Sequence, residues 1–464
     1  MRKHMLAPVL AAGLLVGVMG VLDAQTRARD PGVRGGPAGA GEPLAGLSAM
    51  RLELFNAGKV EFEELDEIEE GLGPRFNDVG CGSCHSQPAT GGTSPATNPQ
   101  ASLPKQFPGN RLPYFIRADG PVREARFKYN PDGSRDGGVH NLFVISGHVD
   151  ARRCTIQQES FDLQRSRDNI IFRIPTPVFG AGLIEQIPDS VILANQAAAN
   201  GQKAALGIRG RANRVRIGGV LGGGGISGEP NRNGNDGTIA RFGWKAQNKS
   251  LLIFSGEAYN VEMGITNELF QTERDETEAC QFAPTPNDVT AADENGNGSG
   301  PAAILSNVEK FALFMRFLAP PTPVAETQST ARGRELFGQV GCALCHTPTL
   351  QTQTRNASVP QLSNQAVNLY SDLLLHRMGP MLADDIIQGE AGPDEFRTAP
   401  LWGLGQRIFF LHDGRTKDLL EAIWFHKSGP DRRFGASEAN RVVDNYNRLN
   451  ERQKQDVLNF LRSL

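Results

Sequence analysis

Apolar residues recur along this chain mainly at the three- and four-residue spacing of amphipathic helices. This spacing predicts helices at 48–57, 250–263, 302–318, 329–340, 416–427 and 449–463. Short strands are predicted at Phe143–Ser146 and Ile170–Ile174. The chain also has 53 glycines and only 7% aromatic residues, which favours long loops between elements. The predicted fold class is therefore mainly α, with long irregular loops and few short strands.

The first residues have the pattern of an export signal. Residues 2–4 form a basic start, the apolar run Leu6–Leu22 follows, and Ala24 provides the small residue that signal peptidase prefers. A transmembrane anchor is the alternative, but the run is short and contains Pro8. We expect residues 1–24 to be a cleaved signal peptide and the mature protein to be periplasmic or secreted.

Composition divides the rest of the chain into two domains. Residues 25–47 are rich in Gly, Pro, Ala and Arg, which is typical of a flexible leader. The proline-rich stretch at 319–328 reads as a linker. It separates an N-terminal domain at 48–318, which carries insertions, from a C-terminal domain at 329–464.

Net charge and hydropathy exclude two classes of partner. The chain has 464 residues and a formal net charge of −3, so it has no strong basic field for nucleic acid. After the signal, no apolar run is long enough to cross a bilayer. We therefore expect no nucleic-acid partner, and no stable membrane span once the signal has been cleaved.

Two pentapeptides carry the chemistry. Cys81–His85 and Cys342–His346 both read Cys-x-x-Cys-His, the attachment signature of c-type haem. Two thiols add to the porphyrin vinyl groups, and the next histidine binds the iron. A redox dithiol or half a zinc site is the alternative for one such motif, but two copies behind an export signal favour haem. The predicted haem-binding residues are Cys81, Cys84, His85, Cys342, Cys345 and His346.

The surroundings of the motifs are also repeated. Arg51–Gly58 before the first motif is similar to Arg332–Gly338 before the second. Downstream, Phe172–Gly182 is similar to Phe396–Gly405. Each half thus contains one cytochrome c unit, so the sequence predicts duplicated cytochrome c domains.

One arginine occupies the same place in both downstream segments. Arg173 and Arg397 each follow a phenylalanine at the start of the repeat. A guanidinium in such a unit can pair with a haem propionate. A surface arginine is the alternative interpretation.

Further segments resemble one known superfamily. They are Gly71–Asn77, Arg241–Ala246, Met263–Thr266, Tyr370–Pro380 and Phe409–His426. Together they resemble the bacterial di-haem cytochrome c peroxidase and MauG superfamily, and more narrowly its di-haem oxidoreductase branch. The resemblance covers nearly the whole mature chain and implies a peroxidase-like enzyme.

The resemblance implies a second axial ligand for the C-terminal haem. The superfamily carries that ligand on the helix after His-Asp-Gly, and His426 occupies its position here. His346 and His426 would then bind one iron from opposite sides. His376 and Met378 are the other candidates, an ordinary helix residue is the alternative for His426, and His412 is expected to be a turn residue.

The first haem is expected to have an open face. The position equivalent to His426 falls near Ala258, which cannot bind iron. The resemblance makes Glu262 the acid/base of this face, with a solvated helix glutamate as the alternative. The distal glutamine of the superfamily falls on Leu252 or Phe254, so an amide is missing there.

The resemblance implies two more features. Trp244 matches a tryptophan between the haems that could relay electrons, with a packed core residue as the alternative. A calcium ion between the haems is expected without assigned ligands. Separately, Cys154 and Cys280 remain after haem attachment and could form a disulfide in an oxidising compartment or stay free.

Two runs are interpreted as loops. Gly222–Gly225 lacks the acidic residue of a dinucleotide fingerprint. Asp293–Gly298 begins like a calcium loop, but Ile304 stands where a glutamate ligand is needed.

These patterns together predict a di-haem oxidoreductase. Hydrogen peroxide or dioxygen would bind at the first haem, and electrons would come through the second from a small periplasmic redox protein or an organic substrate. A di-haem oxygenase acting on an organic substrate is one alternative. A non-catalytic electron carrier with both irons six-coordinate is the other.

Overall fold

The computed structural model describes residues 27–214, 239–290, 300–354 and 359–464. The predicted signal peptide, the glycine run and the polar run at 293–298 lie outside these ranges. The described chain is mainly helical with few short strands, as the sequence predicts. Its helices are α1 Ala49–Glu63, α2 Cys81–Cys84, α3 Leu103–Gln106, α4 Phe161–Ser166, α5 Ala181–Glu185, α6 Asp189–Ala197, α7 Asn200–Leu206, α8 Leu251–Met263, α9 Asn307–Phe317, α10 Gln328–Val340, α11 Leu419–Phe425, α12 Asn440–Asn447 and α13 Glu451–Ser463.

Each of the six predicted helices is present, and capping residues explain where several begin. Ser250, Ser306 and Asn450 each accept a hydrogen bond from a backbone amide of the first turn. Asp418 does the same for α11, accepting from the amides of Leu420 and Glu421. That helix therefore begins at Leu419, three residues later than the apolar pattern alone predicted.

All strands are short and antiparallel. They are β1 Arg75–Phe76, β2 Glu124–Phe127, β3 Val139–His140, β4 Phe143–Val144, β5 Ile170–Arg173, β6 Asn213–Arg214, β7 Ile239–Ala240, β8 Leu350–Gln351, β9 Ala366–Val367, β10 Leu375–Arg377 and β11 Glu395–Arg397. The largest sheet has the order β3-β2-β5, and four two-stranded ladders pair β1 with β4, β6 with β7, β8 with β9 and β10 with β11. The two predicted strands correspond to β4 and β5.

The N-terminal unit is built around the packing of α1 and α8 on α9. Phe55 and Phe62 of α1 contact Phe314 of α9, with ring centroids 5.4 and 4.9 Å away. The helices approach closely at Gly58, where an added Cβ would clash with the Lys310 backbone oxygen. Aromatic burial therefore fixes this helix layer beside the first Cys-x-x-Cys-His motif.

The C-terminal unit repeats this arrangement with α10 packed on α13. Phe337 of α10 meets Phe460 of α13 with ring centroids 5.4 Å apart. Gly333 lies at the crossing point, where an added Cβ would clash with the Asp456 backbone oxygen. The helix before each motif is thus held by the last long helix of its own unit.

Residues 27–47, predicted as the leader, run along both units without a helix. The buried Asp30 carboxylate pairs with the Arg462 guanidinium at 2.7 Å. The amide of Leu44 donates to the Phe317 carbonyl at 2.7 Å. This segment therefore contacts the last helix of each unit.

A disulfide also joins distant parts of the N-terminal unit. Cys154 and Cys280 are bonded across a sequence separation of 126 residues, which confirms one of the two states considered for these thiols. In the part of the chain that the structure describes, every helix is too short or too polar to cross a membrane.

Candidate haem-binding site

The first Cys-x-x-Cys-His motif folds so that one imidazole nitrogen is held and the other is free. Cys81–Cys84 form the short helix α2, and His85 ends it. The Nδ1 atom of His85 is 2.9 Å from the carbonyl oxygen of Gly92. Burial lowers the pKa of His85 to about 4, so the ring is neutral. A neutral imidazole held through Nδ1 is the usual form of a metal ligand, with Nε2 facing the metal.

The second motif has the same arrangement on a different local structure. Cys342–Leu344 form a turn of 3₁₀-helix, and the Nδ1 atom of His346 is 3.1 Å from the carbonyl oxygen of Tyr370. The four motif cysteines are unbridged. Their thiols are therefore free to attach a cofactor.

A large cavity lies beside each motif. The first cavity holds about 170 Å³ of space for water-sized molecules and the second about 220 Å³. The first is lined by Cys81, Cys84, His85, Trp244, Ala258 and Glu262. The second is lined by Cys342, Cys345, His346, Trp244, His412 and His426. Each cavity therefore has the two thiols and the imidazole of one motif in its wall, the set that attachment of a haem requires.

His426 faces His346 across the second cavity. The two ring centroids are 6.5 Å apart. Two imidazoles that bind one metal ion, each at about 2 Å, have centroids roughly 6 Å apart. The Nδ1 atom of His426 is 2.7 Å from the carbonyl oxygen of Ala422, so its Nε2 is also free. The pair fits the axial positions of one haem iron.

The other candidate ligands of this cavity are placed differently. His376 has both ring nitrogens occupied, with Nε2 2.9 Å from Asp372 and Nδ1 2.8 Å from Glu438. His412 is stacked on Phe396, with centroids 4.4 Å apart. Met378 lines the same cavity. Of the three histidines in its wall besides His346, His426 alone lies opposite His346 at the spacing of a shared metal ion.

The first cavity contains no second histidine among the described residues. Ala258 and Glu262 lie one turn apart on α8 and both line it. Asn77 donates two hydrogen bonds to Glu262. Its backbone N–H donates to the backbone carbonyl of Glu262 at 2.7 Å, and its side-chain Nδ2 donates to Oε2 at 2.6 Å. The segment ending at Asn77 therefore positions the predicted acid/base.

Two carboxyl groups in this wall share a proton. Glu262 is hydrogen-bonded to Glu124, and burial followed by repulsion from Glu124 raises the pKa of Glu262 well above its usual range. Burial alone would also raise the pKa of Glu124, but Arg126, 2.8 Å away, lowers it to about 2. Glu262 is therefore the protonated partner and Glu124 the ionised one.

The wall of this cavity also contains two residues that the sequence did not indicate. Phe254 lines it, as expected for the position without an amide, but so do Gln247 and Glu257. The Oε1 atom of Gln247 is buried without a hydrogen-bond partner. An amide is therefore present after all, five to seven residues before the expected positions. No spacing rule in the sequence identifies it, because it precedes α8.

Trp244 lines both cavities. Its Nε1 donates to the Ile174 carbonyl at 2.9 Å, and its own carbonyl accepts from the Arg397 amide at 2.9 Å. The edge of its ring faces His412, with centroids 6.4 Å apart. Trp244 is thus fixed between the cavities by backbone of both units.

The arginines predicted to meet propionates differ in their partners. Arg173 lines the first cavity, but its Nη2 already donates to the Asp384 carboxylate at 2.6 Å. Arg397 lines the second cavity and donates only to backbone carbonyls. Arg407, which the sequence analysis missed, lines the same cavity with no hydrogen-bonded or ion-paired side-chain partner among the described residues.

Burial lowers the pKa of both Arg397 and Arg407 to about 10, so both side chains remain charged at neutral pH. Two buried cations without a carboxylate need an anion. A haem supplies two propionates, so the polar side of the second cavity also fits this cofactor.

The calcium expected between the haems has no carboxylate cluster in the described ranges. The one group of three potential metal-binding side chains there is Cys345, Asp372 and His376. Calcium prefers six to eight oxygen ligands, and this group contains a motif cysteine and an imidazole.

Comparison with known proteins identifies the family. The model of the family described as "Di-haem oxidoreductase, putative peroxidase" matches residues 122–464. The match covers most of the chain, so the protein belongs to this family of haem-containing, peroxidase-like oxidoreductases. No curated protein matches the chain.

Solved structures show weaker similarity. A MauG-like protein associated with microbial copper homeostasis has 18% identity and a TM-score of 0.24, covering 36% of this chain and 55% of its own. The chain thus spans about half the length of that protein. A variant of the diheme peroxidase BthA from Burkholderia thailandensis has 15% identity and a TM-score of 0.29, covering 62% of this chain and 86% of its own. Hydrazine synthase from Kuenenia stuttgartiensis has 13% identity and a TM-score of 0.36, covering 99% and 100%. TM-scores this low give no information about the function of this protein.

Proposed function

We propose that this protein is an exported di-haem c-type cytochrome that reduces hydrogen peroxide, or activates dioxygen, at its N-terminal haem. Electrons reach that haem through the C-terminal one. The observation that carries the proposal is the difference between the two cavities. His426 faces His346 in the second, whereas Ala258 and Glu262 occupy the corresponding helix in the first.

The cofactors are two haems, each attached through the thiols of one motif. The thiols are Cys81 and Cys84 in the first and Cys342 and Cys345 in the second. Each unit is one copy of a duplicated cytochrome c domain. The shared order of packed helix, motif and arginine segment supports the duplication.

The residues of the first cavity supply proton chemistry, and a haem with an open face supplies the redox chemistry when bound. Glu262 gives its proton to the leaving oxygen and recovers one from the oxygen that binds, so its own protonation is unchanged over the cycle. Asn77 fixes the carboxyl for this transfer through its two hydrogen bonds. Glu124 accepts the hydrogen bond of the Glu262 proton and keeps it directed along the wall.

Other residues of the chain support a path for electrons to the first haem and export of the protein. Trp244 relays electrons between the cavities because it lines both. Arg397 and Arg407 pair with the propionates of the second haem. The donor is a small periplasmic redox protein or an organic substrate, and the basic, apolar N-terminus directs export.

An oxygenase acting on an organic substrate is the second candidate. Phe254 in the wall of the first cavity favours it, because an apolar side chain there suits an organic substrate. Gln247 and the four carboxyl groups in the same wall favour peroxide.

Electron paramagnetic resonance of the oxidised protein tests the proposal. We expect a high-spin ferric signal from the first haem beside a low-spin signal from a bis-histidine second haem. Glu262→Gln should keep both signals and lower peroxide reduction on the order of 100-fold or more. Two low-spin signals in every redox state would contradict an open site and leave an electron carrier.

A further inference from the structure

Glu257 is a second carboxyl group in the wall of the first cavity, and the proposed function gives it no role. It lies on α8, five residues before Glu262. Its Oε2 accepts a hydrogen bond from Nδ2 of the buried Asn248. No arginine, lysine or histidine in the described ranges forms an ion pair with it. Its only hydrogen-bonded side chain is therefore a neutral amide.

The positive charges around this carboxyl are bound elsewhere. Arg126 donates to Glu124 at 2.8 Å and to the Gly137 carbonyl at 3.0 Å. Arg173 donates to Asp384 and to Gln388. One guanidinium of the wall thus compensates Glu124. The other three carboxyl groups of the wall, Asp78, Glu257 and Glu262, form no ion pair with a described residue.

The groups that act on Glu257 favour its neutral form. Burial is the largest influence and raises its pKa, and the negative charge of Glu124 raises it further. The hydrogen bond from Asn248 and the charges of Arg126 and Arg173 act in the opposite direction but do not reverse the shift. The pKa of Glu262 on the same helix is raised as well. Two carboxyl groups with raised pKa values therefore lie on one wall of the cavity, less than two helical turns apart.

Peroxide reduction requires more protons than Glu262 can supply by shuttling. The O–O bond of hydrogen peroxide breaks, two electrons from the donor and two protons from water are taken up, and two water molecules leave. A proton that Glu262 takes from one oxygen and returns to the other adds nothing to this total. Both net protons must enter the cavity through another group.

We propose that Glu257 is the proton-delivery residue of the first cavity: its carboxyl donates the net protons to the reduced oxygen atoms and is reprotonated from solvent. Asn248 is the positioning residue that directs this carboxyl. This inference rests on the proposed peroxide reduction and deepens it. It also explains why the chain has a carboxyl at this point of α8 although no ion pair stabilises it.

Infrared difference spectra test the protonation without using activity. The wild-type minus Glu257→Gln spectrum at pH 7 should contain a carboxylic-acid C=O band that shifts in D₂O. The matched control is Glu335→Gln on the exposed face of α10, whose difference spectrum should show carboxylate bands alone. The same acid band should persist in Glu262→Gln, and its absence there would overturn the proposal even if Glu257→Gln failed to fold.

Peroxide kinetics on the haem-loaded protein complete the test. Glu257→Gln should still bind cyanide at the first haem but lose roughly 100-fold in the rate of peroxide reduction. Because the wild type needs the protonated acid, its rate should fall as the pH rises through the raised pKa, and this fall should vanish in the variant. Glu257→Asp should restore part of the rate. An unchanged rate and pH profile in Glu257→Gln would overturn the proposal.

Failure of the proposed function gives a different result. A wild-type protein that binds no cyanide, or that leaves peroxide unreduced, lacks the open site itself. The role of Glu257 would then fall together with the proposed function. Cyanide binding and peroxide reduction by the wild type, with no effect of Glu257→Gln, would instead exclude the proton-delivery role alone.

Discussion

At the scale of single residues, hydrogen bonds distinguish the three histidines that we propose as haem ligands from His376. In three imidazoles, Nδ1 is hydrogen-bonded to a backbone carbonyl oxygen and Nε2 is free: those of His85, His346 and His426. His376 has both nitrogens bound to carboxylates. The free Nε2 marks the ligand because a metal needs the unprotonated ring nitrogen.

Replacement of His426 tests this assignment. His426→Ala removes one axial ligand, so the low-spin signal of the second haem should become high-spin, and added imidazole should restore it. The measurement is electron paramagnetic resonance of the oxidised protein. His412→Ala is the control in the same cavity and should leave the low-spin signal in place; the reverse pattern would assign the ligand to His412.

Arg407 gives a second prediction at this scale. Its guanidinium is buried in the wall of the second cavity without an anionic partner among the residues that the structure describes. Arg407→Met removes a positive charge near the haem and should lower the reduction potential of the second haem by tens of millivolts, since about 59 mV is tenfold for one electron. Spectroelectrochemistry measures this. Arg334→Gln, on an exposed arginine paired with Glu326, should change the potential little.

At the scale of elements, two close helix crossings hold the motifs. Gly58 lets α1 approach α9, and Gly333 lets α10 approach α13. In both cases the small residue faces a backbone carbonyl, where a methyl group has no room. The helix that precedes each motif is therefore placed by a glycine as well as by its phenylalanines.

Two glycines of α10 test the crossing. Gly333→Ala should destabilise the protein by about 1–3 kcal/mol through overpacking against α13. Gly338→Ala is the matched control, because no atom lies within 4 Å of its added Cβ. Alanine there should be neutral or stabilise by up to about 1 kcal/mol. Thermal unfolding of both variants measures the difference, and equal midpoints would contradict the close approach.

At the scale of the whole molecule, residues 27–47 connect the two units. Asp30 and Arg462 form an ion pair in which both side chains are at least 90% buried. Burial raises the pKa of Asp30, but the hydrogen bonds and charge of Arg462 outweigh it and lower the pKa overall. The pair therefore stabilises the fold above the ordinary pKa of an aspartate, and this stability is lost as the pH falls through the lowered value.

Asp30→Asn should leave the Arg462 charge buried and unpaired. Such losses cost on the order of 3 kcal/mol, so the Tm of a chain of this length should fall by roughly 3 °C at pH 7. The difference from wild type should shrink as the pH falls below 4. Asp119→Asn is the control, since its ion pair with Arg117 is exposed and contributes little. Equal effects of the two substitutions on the Tm would contradict a stabilising role of the buried Asp30–Arg462 ion pair.

The sequence predicted much of this arrangement. The six helices were visible because apolar residues recur in them at helical spacing, and capping residues at Ser250, Ser306 and Asn450 agree with the starts of three of them. The two motifs were visible because attachment chemistry fixes their spacing. Glu262 and Trp244 were found only through resemblance, and the structure places both in the first cavity.

Several residues could be found only in three dimensions. Gln247 precedes α8, and Arg407 lies outside any repeat, so neither has a periodic signal. Their roles depend on which atoms face the cavity and which find no partner. Glu124 could not be found from the sequence for the same reason: strand β2 brings it to Glu262, which lies 138 positions later in the chain.

By itself, the sequence of this protein determined the two Cys-x-x-Cys-His motifs, the mainly helical class and the position of most helices. These depend on short-range spacing, which the covalent chain fixes. Only the tertiary structure decided which histidine faces His346, which cations lack an anion and which carboxyl groups share the first cavity. Those properties depend on burial and on contacts between distant segments, because solvent exclusion and hydrogen-bond partners are set when the whole chain is packed.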